Sequence, residues 1–139
     1  MAVKTLLLCA ATLLTTSVRA DWTYVASNNT AATRNSQGYF FGVTNSTYPI
    51  SLGVSSFKKL SDADRYPVEV RIDNKKVYHI HMRRADIGLL QGYFESPRML
   101  IDIMNAQSVN ITINHASGKE VAVHSMNASY DTISDVLDG

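Results

Sequence analysis

Two stretches of this chain alternate apolar and polar residues one for one. Val68, Val70 and Ile72 are separated by Glu69 and Arg71, and Tyr78, Ile80 and Met82 by His79 and His81. Val109, Ile111 and Ile113 are separated by Asn110 and Thr112, and Val121 and Val123 follow with the same spacing. A side-chain period of two is the pattern of a strand with one buried face. The centre and end of the chain are thereby committed to antiparallel sheet.

Turn chemistry then sets how these strands pair. Asp73-Asn74-Lys75 separates the first two. A two-residue loop at Asn74-Lys75 would pair Ile72 with Val77 and place Val70 opposite His79. An odd loop places Val68 and Val70 on the face of Tyr78 and Ile80, with Glu69 across from His79. Burying the apolar set together selects the odd loop, because a slip of one residue sends the whole set to the other side. In the second pair, Ala116-Ser117-Gly118 fits a three-residue loop with Gly118 in the left-handed position. That register pairs Ile113 with Val121 and Ile111 with Val123, and turns Asn110, Thr112 and His124 to the opposite face.

Shorter runs at residues 22–26, 39–44 and 50–56 read as strands, with residues 45–49 as the turn between the last two. Leu52, Val54 and Ser56 share one face of the third. Residues 57–65, with Lys58, Lys59, Asp62, Asp64 and Arg65, read as a solvated loop. Ser96-Pro97 opens a helix that ends near Ala106, because serine is a good cap and proline suits the first helical position. Met99, Leu100, Ile103 and Met104 give it an apolar side. Residues 129–137 form a second short helix with Ile133, Val136 and Leu137 on its apolar edge. The expected architecture is mainly β: an antiparallel β-sandwich or small open barrel with one or two short helices.

The first twenty residues read as a secretory signal. Lys4 supplies a positive start, residues 6–14 an uncharged apolar run, and Val18-Arg19-Ala20 the small residues a signal peptidase needs. The run is short for a membrane span. Cleavage is expected after Ala20, with residues 21–139 as one domain in the periplasm or outside the cell. Cys9 is the only cysteine, and Leu8 before it is not the small residue of a lipoprotein signal. Cys9 therefore leaves with the signal, and the exported part has no disulfide, thiol nucleophile or thiolate metal site. Removing residues 1–20, which carry Lys4 and Arg19, leaves 119 residues and turns the formal charge from +1 to −1. Such a balance gives no general case for nucleic acid or an acidic membrane surface. Asn28, Asn45, Asn110 and Asn127 each begin an N-x-S/T sequon, a glycan acceptor in a eukaryotic secretory pathway.

No catalytic constellation stands out: there is no G-x-S-x-G elbow, phosphate-binding glycine loop, H-E-x-x-H or calcium loop. His79 and His81, two apart on a strand, project to one face, and Glu69 on the neighbouring strand could supply a third metal ligand. The plain alternative is the polar outer face of a hairpin. Arg71, Lys75, Lys76, Arg83 and Arg84 form a basic set that could meet an anionic surface such as lipopolysaccharide, or an acidic protein. Glu69, Asp73 and Asp86 interrupt it, so an ordinary charged hairpin edge accounts for it as well. Tyr39, Phe40, Phe41 and Tyr48, with Tyr93 and Phe94, form an aromatic set. Neighbours in a strand point to opposite faces, so one of Phe40 and Phe41 is expected to be exposed and open to protein binding. Core packing against the helix explains these aromatics equally.

The order of elements is similar to that of the invasion-associated locus B-like family of bacterial periplasmic proteins. The likeness rests on Trp22 just after the cleavage site, the strand Val68 to Asp73, the helix from Pro97, the strand Val109 to Ile113, the turn Ser117-Gly118-Lys119-Glu120-Val121 and the closing helical segment. Members of that family carry cysteines after the first tryptophan and before the helix, where this chain has Ala26 and no cysteine. The resemblance implies an exported bacterial β-sandwich, hence unglycosylated sequons, and assigns no catalytic residue. A short exported variant of this kind is also compatible with prophage-encoded cargo.

The function expected on these grounds is a non-enzymatic exported binding protein. It would act through a protein–protein surface in the cell envelope, or against a host or phage factor. A small metal-binding protein or metal-dependent hydrolase using His79, His81 and Glu69 is the alternative. No cofactor, nucleic-acid partner or membrane span is expected. A protein partner is, and a homodimer is compatible with the sequence.

Overall fold

A computed structural model describes residues 21–45 and 49–139. The expected signal segment lies outside these residues, as do Ser46, Thr47 and Tyr48 of the expected turn, the aromatic set and the sequon begun by Asn45. Nine strands follow in chain order: β1 (Thr23–Val25), β2 (Thr30–Arg34), β3 (Phe40–Thr44), β4 (Ser51–Ser55), β5 (Arg65–Ile72), β6 (Lys76–Asp86), β7 (Leu89–Tyr93), β8 (Ser108–His115) and β9 (Gly118–Ser125). Two helices, α1 (Pro97–Met104) and α2 (Ser129–Asp138), interrupt and end the series. The strands form one antiparallel sheet in the order β1-β2-β3-β4-β7-β6-β5-β8-β9. The mainly β class read from the sequence is the class found, as a sheet that curls without closing into a barrel.

Alternation placed the centre of this sheet correctly. Val70 pairs with Tyr78, Val68 with Ile80 and Glu69 with His79 across the odd loop Asp73-Asn74-Lys75. Asp73 and Asn74 both adopt left-handed backbone, at φ 52° and 58°, a region these two side chains tolerate better than most. The Asp73 carboxylate also accepts from the backbone N–H groups of Gln107 and Ser108, at 2.9 and 3.0 Å, fixing the start of β8 beside β5. Val68, Val70 and Ile72 thus face the same core as Ile111 and Ile113.

At the last hairpin the expected register is wrong by one residue. The turn holds two residues, Ala116 and Ser117, so His115 pairs with Gly118, Ile113 with Glu120 and Ile111 with Ala122. Gly118 closes the turn at φ 137°, a conformation few side chains allow. Glu120, Ala122 and His124 consequently face the core, while Val121 and Val123 stand about half exposed, at 50% and 53%. β2 and β7 are strands that the sequence reading did not anticipate. Both are short, and in the sequence TAATR only small and polar side chains carry the pattern.

The helices cap one end of the curled sheet. Ser96 caps α1 by accepting from the N–H of Met99 at 3.3 Å, with Pro97 at the start. Met99, Ile103, Ile133 and Val136 enter the core shared with both halves of the sheet. Asp102 on α1 accepts from Tyr78 Oη at 2.6 Å and pairs with Lys76 at 3.3 Å, both at the β5–β6 turn. The Tyr78 bond first, then Lys76 and Arg98, hold Asp102 below the usual carboxylate range. Asn29, in the turn after β1, donates to the Val136 carbonyl at 2.9 Å and so holds α2 across β1–β3. Among the described residues no helix is long and apolar enough to cross a membrane.

Candidate functional site

The edge strand β9 meets residues of the first half of the chain along a seam. Residues 119, 121, 123 and 125 turn their backbone groups away from β8, leaving an edge that would invite another strand. Side chains from the first half occupy that edge. Asn35 donates from Nδ2 to the Val123 carbonyl at 3.1 Å, and the Trp22 indole donates to the Ser125 carbonyl at 3.2 Å. The Trp22 backbone N–H donates to Asn127 at 3.1 Å. Its ring meets Phe41 edge-on, with centroids 5.2 Å apart.

The seam ends at a buried carboxylate. Glu120, only 6% exposed, lies at the end opposite the helices. Ser56 Oγ donates to it at 2.6 Å, the Phe57 N–H at 2.8 Å and Tyr39 Oη at 2.9 Å, while His115 Nε2 lies 2.8 Å from Oε1. Burial alone would raise the pKa of Glu120. The bonds from Ser56, Phe57, His115 and Tyr39 outweigh it and hold the carboxyl below its usual range. Burial, and then the bond to Glu120, push the Tyr39 phenol up.

Serine, histidine and glutamate in contact invite comparison with a hydrolytic triad, but the order is different. A serine nucleophile passes its proton to the imidazole, and the carboxylate sits behind the ring. Here the carboxylate sits between the other two, so the Ser56 hydroxyl donates to Glu120 and not to the imidazole. The arrangement ties the 34–40 and 56–58 segments to β9. A cleft of about 720 Å³ opens beside it, where Lys58, Lys59, Tyr66 and Ser117 surround His115. His115 shows an edge to the Tyr66 ring, with centroids 5.4 Å apart.

A second buried polar group stands four residues along β9. His124 is 1% exposed and packs against Phe41, with ring centroids 5.5 Å apart. Among the described residues neither of its ring nitrogens has a hydrogen-bond partner, and nor does Thr33 Oγ1. Burial pushes the His124 pKa down to about 4. His115 and His124 share the inner face, not opposite faces as the shifted register had them.

The residues singled out from sequence are partly dispersed. Glu69 does stand across from His79, with His81 on the same outer face. The Glu69 carboxylate turns to Arg71 at 3.6 Å. Among the described residues no group of three or more His, Cys, Asp or Glu side chains is placed to hold a metal. Phe40 and Phe41 are both buried, contrary to expectation. Phe41 enters the main core, and Phe40 packs with Ala32 and Leu89 on the outer side. The room for the Phe40 ring comes from Gly42, where a Cβ atom would lie 2.8 Å from the ring.

The basic set is split along the β5–β6 hairpin. Arg71, Lys75 and Lys76 lie at its turn, while Arg83 and Arg84 lie about 23 Å further along β6 at ~3.3 Å per residue. Lys76 is paired with Asp102 and Arg84 with Asp62. Arg65, read as part of a loop, begins β5 and faces Arg83. The place of Arg65 in β5, and the bonds of Tyr39 and Ser56 to Glu120, are not anticipated from the sequence. Glu120 follows Lys119 just before the run Val121-Ala122-Val123, five positions after His115, and nothing local marks it as buried. No family model, curated protein or solved structure matches the chain.

Proposed function

We propose that this chain is an exported, non-enzymatic binding protein that meets a protein partner through the outer face of β8 and β9. The observation that carries this reading is the half-exposed pair Val121 and Val123, paired across the sheet with neutral side chains. Val121 pairs with Thr112 and Val123 with Asn110, and charge returns at Lys119 two residues along β9 and at Glu69 and Arg71 one strand further on. An apolar centre flanked by neutral polar groups and a charged rim is the anatomy of a protein-binding patch. The seam contacts occupy the adjacent edge, so a partner would dock on this face rather than add a strand. The Ser56–Glu120–His115 order favours holding the fold over acyl transfer. The likeness to the invasion-associated locus B-like family points to the periplasm or the exterior, against an envelope, host or phage factor.

The test is capture of partners from periplasmic extract with the purified protein and a Val121→Asp/Val123→Asp variant. Both substitutions are on exposed positions, so the melting temperature should hold. A protein recovered by the natural chain at micromolar concentration and lost with the variant supports the reading. Recovery of nothing, or of the same proteins by both, overturns it.

A further inference from the structure

Arg65 opens β5, and its direct partner on β6 is Arg83. Their neighbours Tyr66 and Met82 point into the core, so both arginines point outward and both are exposed. Like charges directly opposite on one sheet face repel. Across the next strand Arg83 pairs with Gln91, whose amide is held by a bond of 2.8 Å to Ser51 Oγ. His81 lies two residues from Arg83 on the same face. These side chains, with Arg84 and the exposed Tyr93, line a cleft of about 460 Å³, within the ~300–1,000 Å³ span of ligand clefts.

Among the described residues, none of the carboxylates near this cleft pairs with Arg65 or Arg83. Asp62 pairs with Arg84, Glu69 faces Arg71, and Asp86 accepts from the backbone N–H of Ile87. Asp64, beside Arg65 in sequence, lines the separate cleft at His115. Among the described residues no ion pair engages Arg65 or Arg83. Two arginines thus stand opposite each other in register, a repulsive pairing, and among the described residues no carboxylate pairs with either.

We propose that this cleft binds a phosphomonoester, with Arg65 and Arg83 on the phosphate oxygens. Guanidinium forks match phosphate oxygens two at a time. A pair of opposed forks offers two positive charges to a dianion, where one fork would serve a carboxylate. Asp62 already offsets Arg84, so the charge left over in the cleft is that of Arg65 and Arg83. The cleft has room for the group that carries the phosphate, and the exposed Tyr93 ring gives that group a surface to lie on. The proposal is independent of the β8–β9 patch, which lies on the other side of β5.

The purified protein is titrated with inorganic phosphate and with glucose 6-phosphate at constant ionic strength, by calorimetry and by amide shifts. Saturable binding is expected, tighter for the sugar phosphate, with shifts centred on Arg65, His81, Arg83 and Tyr93. Arg65→Gln and Arg83→Gln should each weaken it about tenfold or more, the effect of losing a charge-assisted fork. Arg71→Gln, on the same sheet face outside the cleft, should leave it unchanged. Vesicles of phosphatidylcholine with phosphatidic acid form a second arm. Retention on them by the natural chain but not by Arg83→Gln makes the source a lipid head group, and binding of the soluble ester alone makes it a free metabolite. Absence of saturation with both phosphates and vesicles, or equal loss in Arg71→Gln, overturns the proposal.

Discussion

β6 and β9 press their inner faces on the same core, yet they fill them differently. β6 contributes Tyr78, Ile80 and Met82, and β9 contributes Glu120, Ala122 and His124. β6 pairs with β5 from Lys76 to Arg83 and meets β7 only from Arg83 on, and hydrophobic burial alone decides its register. β9 lies at the sheet edge, where register is also decided by what can be gained across the seam. Turning Glu120 inward brings it within reach of Ser56, Phe57, Tyr39 and His115. The same choice exposes two valines and buries a histidine whose ring nitrogens have no hydrogen-bond partner among the described residues. A fully bonded carboxylate at one end of the strand thus coexists with an orphaned imidazole at the other.

The largest effect in this comparison belongs to Glu120. Glu120→Ala would strand its donors in a water-poor seam, and breaking a buried charged network of this kind costs about 3–5 kcal/mol. That is a large fraction of the ~5–15 kcal/mol that holds a domain together. Urea unfolding of the variant should show a much lower midpoint. A loss below about 1 kcal/mol, the size of one ordinary hydrogen bond, would mean that the carboxylate does not hold the two halves together.

This contrast also marks how far the sequence could be read. The Val68–Met82 hairpin was legible because one face is apolar throughout and only one loop parity buries it. The helices were legible from Ser96-Pro97 and from the spacing of Ile133 and Val136. The β8–β9 register was not, because Val121 and Val123 offer a better apolar match to Ile113 and Ile111 than Glu120 and Ala122 do. What overrides that match is a set of partners 63 to 81 residues distant in sequence, for Phe57 and Tyr39. Local alternation carries no information about them. The cleft at Arg65 was hidden for a different reason: the legible β5–β6 register also pairs Arg65 with Arg83, but residues 57–65 carry so many charges that they read as a solvated loop.

His124 supplies the next effect, and its sign is fixed. The folded chain holds this ring neutral down to a pKa of about 4, against 6.5 for an unburied histidine. Between those values the unfolded chain binds a proton that the folded chain refuses. Stability from this site is therefore intact above pH 6.5, falls as pH drops towards 4, and is flat below. The shift corresponds to about 3 kcal/mol at 1.36 kcal/mol per unit. His124→Leu removes the titration and two unsatisfied nitrogens together. The variant should be more stable at pH 7 by about 1–3 kcal/mol, and its advantage should grow towards pH 4. A variant less stable at pH 7, or one with an unchanged acid limb, would show that the ring has a partner in solution. Glu120 adds its own loss at lower pH, where its carboxyl takes up a proton.

The smallest effect gives the sharpest reading of register. Val→Thr keeps shape and exchanges a methyl for a hydroxyl, so its cost reports whether the site is dry. At Val70, fully buried between β6 and β8, the hydroxyl has no partner and should cost about 1–3 kcal/mol. At Val123 on β9 the same exchange meets solvent and should fall within about 0.5 kcal/mol of zero. The sequence pattern alone would assign both valines to the core and expect equal costs. Equal costs would return β9 to the register with Val121 and Val123 inside. That register withdraws the Glu120 carboxylate from Ser56 and leaves the seam without its clamp, so the pair of measurements tests both ends of β9 at once.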